Sequence, residues 1–212
     1  MSPKQIYYET TAKKIIENMQ KRNFEGYYCH TAKEAVTLAN SFVCPGHTVY
    51  FGGSMTLQET GMINFLKSRD DITVIDRADA KTPEEITKIY REAFSCNSYF
   101  MSTNAITLEG ELINIDGTGN RVSALIYGPD QVIILAGMNK VTSGRKTGID
   151  RVKNIASPPN AIRLERKTPC SMTGSCQDCF SPDCICCNTV ITRRTSTPGR
   201  IKIILIGEEY GY

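Results

Sequence analysis

The chain has 212 residues, 41% hydrophobic and 22% charged, with a formal net charge of +3. That is enough apolar material for one substantial core, and the charge is too small and too scattered to point to nucleic acid. No apolar run is long enough to span a bilayer, and the polar residues 1–8 hold no signal-peptide core, so a cytoplasmic protein without membrane insertion is expected.

Residues 3–24 carry Ile6, Ala12, Ile15, Ile16 and Met19 at helical spacing, with lysines between them, until Gly26 breaks the pattern. Tyr27-Tyr28-Cys29 reads as a short buried strand. Thr31 with Glu34 is a capping-box signature and opens a helix that Pro45-Gly46 closes. A strand over 48–51 ends in Gly52-Gly53-Ser54, a helix is predicted over 56–68, and a strand over 72–75 follows. Thr82-Pro83-Glu84-Glu85 caps a helix to about residue 94, and 98–101 is a strand. Helices alternating with strands at this spacing predict a parallel sheet covered on both faces.

From Asn104 the texture changes. Residues 105–108, 112–115 and 122–127 read as short strands broken by Glu109-Gly110, Asp116-Gly117 and Gly119-Asn120, an insert that is antiparallel in part. The apolar run 131–136 returns to a central strand, 147–156 reads as a helix followed by Ser157-Pro158-Pro159-Asn160, and 188–192 is β-like. The apolar run 201–206 predicts an interior strand, so that residues 1–212 form one folding unit. Within it, residues 169–188 form an irregular cysteine-rich loop.

Three glycine-rich turns carry the candidate pocket. Gly52-Gly53-Ser54 between strand and helix fits an anion-binding loop, or a tight turn capped by Ser54. Thr107, Glu109 and Glu111 share one face of an extended segment beside Asn104, where Glu109 is a candidate base or nucleophile or simply a hairpin turn. Asp116-Gly117-Thr118-Gly119-Asn120-Arg121 reads as an anion nest with a bidentate guanidinium, or as a wide surface turn. Lys140, after the apolar strand, is a phosphate or carboxylate partner or a helix-entry residue. The two histidines, His30 and His47, have no partners spaced for zinc or for a serine-hydrolase triad.

Six of the nine cysteines, Cys170, Cys176, Cys179, Cys184, Cys186 and Cys187, fall within 18 residues. In a reducing compartment that density favours an iron–sulfur cluster or zinc, with a redox-sensitive thiol set or free thiols as alternatives.

Gly52-Gly53-Ser54-Met55-Thr56, Asn104-Ala105-Ile106-Thr107 with Glu109-Gly110, and Gly119-Asn120-Arg121-Val122 together resemble the lactate-utilisation (LUD) domain family over residues 10–206. The cysteine-rich tail resembles that of a small subgroup of relatives. The resemblance implies an α/β, Rossmann-like, mostly parallel sheet with helices on both faces and a partly antiparallel insert. That is the type shared by ribose-5-phosphate isomerase, glucosamine-6-phosphate deaminase and CoA transferases. It implies a pocket of Gly52, Gly53, Ser54, Asn104, Thr107, Glu109, Asn120 and Arg121, and a metal set of Cys170, Cys176, Cys179 and Cys186 with Cys184 and Cys187 as extras. The functional expectation is a protein that binds a small anionic metabolite and is linked to redox metabolism through the cysteine site, with a redox protein or a second copy of the chain (a homo-oligomer) as partner. An isomerase or acyl/CoA-transfer enzyme on the same scaffold, and a non-catalytic metal- or redox-sensing protein, stand as alternatives.

Overall fold

A computed structural model describes residues 1–212. Helix α1 (Pro3–Gln20) leads into β1 (Glu25–Cys29), α2 (Ala32–Ser41), β2 (Thr48–Phe51), the short helices α3 (Met55–Glu59) and α4 (Met62–Lys67), and β3 (Thr73–Ile75). Then come α5 (Pro83–Glu92), β4 (Ser98–Met101), β5 (Ala105–Thr107), β6 (Leu112–Asp116), α6 (Asn120–Ile126) and β7 (Gln131–Gly137). The chain continues through β8 (Val141–Thr142), α7 (Arg145–Arg151), a π-helical turn (Val152–Ala156), α8 (Ser157–Arg163), α9 (Pro169–Thr173), β9 (Asn188–Thr192) and β10 (Ile201–Ile206).

Six strands form one sheet in the order β1-β10-β7-β4-β2-β3, and every neighbouring pair is parallel. Their side chains sort by the period of two that a strand imposes. Val132, Ile134 and Ala136 of β7, with Ile201, Ile203 and Leu205 of β10, join the face covered by Ala12, Ile15 and Met19 of α1. Ile133 and Leu135, with Ile204 and Ile206, join the opposite face under Ala35 and Ala39 of α2, Leu57 of α3 and Leu66 of α4. Near-continuous apolar runs are what a strand buried on both faces requires. A smaller sheet, β8-β5-β6-β9, packs separately; its β5–β6 hairpin is antiparallel and β8 runs parallel to β5. The predicted α/β class, with its partly antiparallel insert, is the observed one.

Three local expectations are corrected. Residues 122–127 are helical, not a strand: Gly119, at φ +86°, turns the chain into α6. Arg121, Val122, Ala124 and Leu125 are buried while Ile126 is exposed, a spacing that one helix face satisfies and strand alternation cannot. The helix over 56–68 is two helices, because Gly61 adopts φ +76° between them. Pro158 and Pro159 do not stop the helix. They occupy the first turn of α8, where N–H groups lack partners in any case, behind the π-helical turn that loosens the ladder.

Buried Glu111 fastens the insert to the rest of the molecule. Its carboxylate accepts from Arg145 Nε (2.7 Å) and Nη2 (2.8 Å) and from Arg22 Nη1 (3.2 Å). The hydrogen bonds from Arg145, then the charges of Arg22 and Arg145, hold its carboxyl below the ordinary glutamate range against the opposing effect of burial. A depressed folded-state pKa stabilises the fold above the unfolded value, about 4.3, and that contribution is lost as pH falls through the folded value. Glu111→Gln is therefore expected to cost about 1–3 kcal/mol at pH 7. Urea unfolding at pH 7 and at about pH 3 should show the gap to the unsubstituted protein narrowing in acid.

Candidate functional site

The loops that leave the C-terminal ends of β2, β3, β4, β7 and β10 converge on one pocket of about 350 Å³. This is the edge at which open parallel sheets bind ligands, because successive strands deliver their following loops to one crevice. Gly53 and Ser54 follow β2, Arg77 follows β3, Ser102–Asn104 follow β4, Lys140 follows β7, and Gly211 and Tyr212 come after β10. Residues 116–121 and the α8 side chains Asn160 and Arg163, with Arg166 beyond, complete the wall.

The glycine pair makes room for arginines. A Cβ on Gly52 would lie 3.0 Å from Arg121 Cγ and 3.1 Å from Cδ, and one on Gly53 would run into Arg77 Nη2. Gly52 thus lies beneath the pocket and Gly53 in its wall. Ser54 Oγ caps α3 by accepting from Leu57 N at 3.3 Å.

Arg121 is buried and fully committed. Nη1 donates to Asn114 Oδ1 (2.6 Å) and Ser102 O (3.1 Å), and Nη2 to Asn104 Oδ1 (2.9 Å) and Ile115 O (3.1 Å). Nε lies 3.2 Å from Asp116 Oδ2. No terminal N–H is left for a ligand, so the bidentate anion partner expected from the sequence is instead the post on which three pocket loops are hung. Asn104 Oδ1 also accepts from Ile115 N (3.0 Å), and the residue lines the pocket. Asn120 lines the same wall.

Lys140 sits at the deep end, 4% exposed. Its Nζ donates to Thr56 Oγ1 (2.8 Å) and Ser102 Oγ (3.0 Å). Burial, then the charges of Arg151 and Arg121, pull its pKa down to about 7, partly opposed by Glu59. Above it passes the segment after β10: Thr56 Oγ1 donates to Tyr210 O (3.2 Å), and Arg151 Nη1 donates to Tyr212 O (3.2 Å) and Asn104 O (2.8 Å).

Three further cations escaped the sequence reading. Arg77 donates to Tyr90 Oη (2.7 Å) and sits over that ring, 5.8 Å from its centroid. Arg163 donates to Asn160 Oδ1, and Arg166 lies exposed at the rim. Arg77 comes two residues after the end of β3, the position at which a sheet-edge rule would have flagged it; Arg163 and Arg166 carried no signal. None of Arg77, Lys140, Arg163 and Arg166 forms an ion pair. The pocket's one acid, Asp116, is already paired with Arg121.

Thr107 and Glu109 do not reach this pocket. Thr107 is buried in the hairpin turn, where its Oγ1 accepts from Glu111 N (3.0 Å). Glu109 is exposed where the strands begin, its main-chain carbonyl accepting from Arg22 Nε between α1 and β1. The extended segment ends at Thr107, and the turn that follows leaves Glu109 exposed while Thr107 and Glu111 are buried, so the shared face expected from alternation does not form.

The cysteine loop borders the pocket. Ile185 lines it, and Cys186 Sγ donates to pocket residue Ser157 Oγ at 3.4 Å. Burial pushes the Cys186 thiol up to about 11, so it is a protonated donor here. Main-chain amides point at two neighbouring sulfurs, Asp178 N at Cys176 Sγ and Cys186 N at Cys184 Sγ, both 3.4 Å. Cys170 Sγ lies 3.3 Å from Thr168 Oγ1. No three cysteine, histidine or carboxylate side chains gather in metal-binding geometry; the set Cys170, Cys176, Cys179 and Cys186, with Cys184 and Cys187, stands here as free thiols.

The LUD domain family model matches residues 12–206. The chain belongs to the LUD domain family. Among solved structures, a DUF162-family protein from Deinococcus radiodurans, the same family under its other designation, aligns over 97% of this chain and 99% of its own. Its TM-score is 0.50 at 10% identity, a likeness of fold. Partial likenesses include ribose 5-phosphate isomerase from Plasmodium falciparum (TM-score 0.34, 20% identity, 53% of this chain and 52% of that one). Another is eIF2B beta from Chaetomium thermophilum (TM-score 0.39, 12% identity, 56% and 45%). The LUD chain thus matches about half the length of each. None of the curated proteins compared with it matches. No helix is long and apolar enough to cross a membrane.

Proposed function

We propose that this LUD-domain protein binds a small metabolite carrying two or more negative charges, a phosphorylated or polycarboxylic compound, in the pocket at the C-terminal ends of its parallel strands. One observation carries the reading: Arg77, Arg163 and Arg166 face the same space without a carboxylate partner. Unpaired cations around a partly dry cavity raise the local concentration of anions and hold them by charge-assisted hydrogen bonds. Asn104, Asn120 and Ser54 add neutral groups for orientation. Family membership supports a lactate-utilisation-like role, and the thiol loop against the wall is where a redox link would act.

Thermal unfolding with inorganic phosphate, pyrophosphate or lactate tests this. A ligand present at about 100 times its Kd adds about 2.7 kcal/mol, a shift of roughly 5–10 °C for a chain of this size. Arg77→Ala and Arg163→Ala are each expected to weaken binding about tenfold, whereas Glu109→Gln leaves it unchanged. If no anion raises the melting temperature, and Arg77→Ala and Arg163→Ala behave as the unsubstituted protein does, the reading fails. For the cysteines, anaerobic purification with zinc, iron and sulfide analysis decides: stoichiometric metal assigns a loop that closes on it, and metal-free protein assigns a covering role.

A further inference from the structure

Lys140 Nζ meets two hydroxyls at the edge of the pocket. Thr56 Oγ1 and Ser102 Oγ each direct their own hydroxyl hydrogen to a carbonyl, Tyr210 O (3.2 Å) and Thr103 O (3.4 Å). Both hydroxyls therefore meet Nζ as acceptors, at 2.8 and 3.0 Å. A neutral amine has two hydrogens, and these two acceptors take both. The remaining tetrahedral position is the lone pair, and the free space adjoining this nitrogen is the pocket that Lys140 lines. Nothing anionic holds the group as an ammonium, since no carboxylate lies within ion-pair reach. The cations Arg121 on α6 and Arg151 on α7 face it, against Glu59 on α3 alone. Desolvation beside other cations is how a lysine becomes an amine that attacks carbonyl carbon near neutral pH.

We propose that Lys140 forms a reversible imine with the carbonyl carbon of an anionic aldehyde or ketone held in the pocket; this rests on the reading of the pocket as an anion site. The lone pair adds to the carbonyl carbon, and the carbon–nitrogen double bond forms as the carbonyl oxygen departs. Net, both amine hydrogens leave with that oxygen as water, so no oxidant or further reactant is needed. Thr56 and Ser102, each in contact with Nζ, stand where they can relay those protons. Arg77, Arg163 and Arg166 supply the hold on the anionic end, carboxylate or phosphate.

The test is trapping with cyanoborohydride near pH 7, in three arms: glyoxylate, glycolaldehyde phosphate and uncharged glycolaldehyde. Adducts are located by peptide mass mapping, and melting temperatures are measured with glyoxylate and with inorganic phosphate. The expected result is labelling of Lys140 at least about tenfold faster than of any other lysine. It should be slowed by inorganic phosphate, and faster with the charged aldehydes than with glycolaldehyde. The faster charged arm tells carboxylate from phosphate. Lys140→Arg keeps donors to Thr56 and Ser102 but cannot form an imine, and should lose the adduct. Mapping in the unsubstituted protein decides the matter even if that variant does not fold. Stabilisation by phosphate with adducts spread over other lysines and none on Lys140 overturns the imine and leaves the anion site standing. Absence of both stabilisation and Lys140 labelling overturns the anion site and the imine with it.

Discussion

Replacing Arg121 by alanine is expected to lower the unfolding free energy by about 3–5 kcal/mol, the loss seen when one partner is removed from a buried charged network. The truncation leaves Asp116 charged and buried without its counter-ion. It also frees Asn114 Oδ1, Asn104 Oδ1 and the carbonyls of Ser102 and Ile115 from their donor. Lysine does not restore the network, because one ammonium cannot reach acceptors that a planar fork spans; Arg121→Lys should recover less than half the loss. Gly52→Ala acts on the same post from below, through a methyl 3.0 Å from Arg121 Cγ, with a smaller cost of about 1–3 kcal/mol. Urea denaturation of the three variants checks the order. A loss below about 1 kcal/mol for Arg121→Ala, with anion binding abolished, would return Arg121 to the role of direct ligand partner.

The contrast between Arg121 and Arg77 shows what the sequence could and could not carry. A six-residue turn with two glycines and an arginine stands out in one dimension, and its address at the sheet edge was correct. Whether the guanidinium is spent on protein or left for a ligand depends on the acceptors around it. Asn104 and Ser102 come from the connection after β4, and Asn114 from strand β6. Arg77 and Arg163 sit in unremarkable local sequence, and only the folding of β3 and α8 against the same edge gives them meaning. Likewise the runs over β7 and β10 could be read because burial on both faces leaves no polar alternation to misinterpret. The seven residues of α6 could not, since short apolar stretches satisfy either period until a partner surface is known. The prolines of α8 misled for a related reason: proline forbids a helix interior but suits a first turn, and the π-helical turn creates a new first turn in mid-run.

The segment after β10 makes the pocket conditional on one glycine of β7. Met138 N donates to Glu208 O (3.0 Å), Asn139 Nδ2 to Gly211 O (3.2 Å) and Tyr210 N to Asn139 Oδ1 (3.2 Å), so residues 208–212 are laid across the end of β7. A Cβ on Gly137 would lie 2.6 Å from Tyr210 N and 2.8 Å from Glu208 O, main-chain atoms with no rotamer to escape into. Gly137→Ala is expected to cost about 1–3 kcal/mol, the usual penalty of an added methyl in a packed site, and to lift the segment away from Lys140. Loss of its cover hydrates the amine, so its pKa should climb from about 7 back towards the ordinary lysine value. At neutral pH the lysine then becomes an ammonium: carbonyl trapping at Lys140 should fall about tenfold or more, whereas anion binding, which gains a charge, should be kept. Hydrogen exchange in residues 208–212 should rise while β7 and β10 stay protected. If exchange there is unchanged and trapping persists, the segment is not what keeps Lys140 dry, and burial between β7, α3 and the β4–β5 connection suffices.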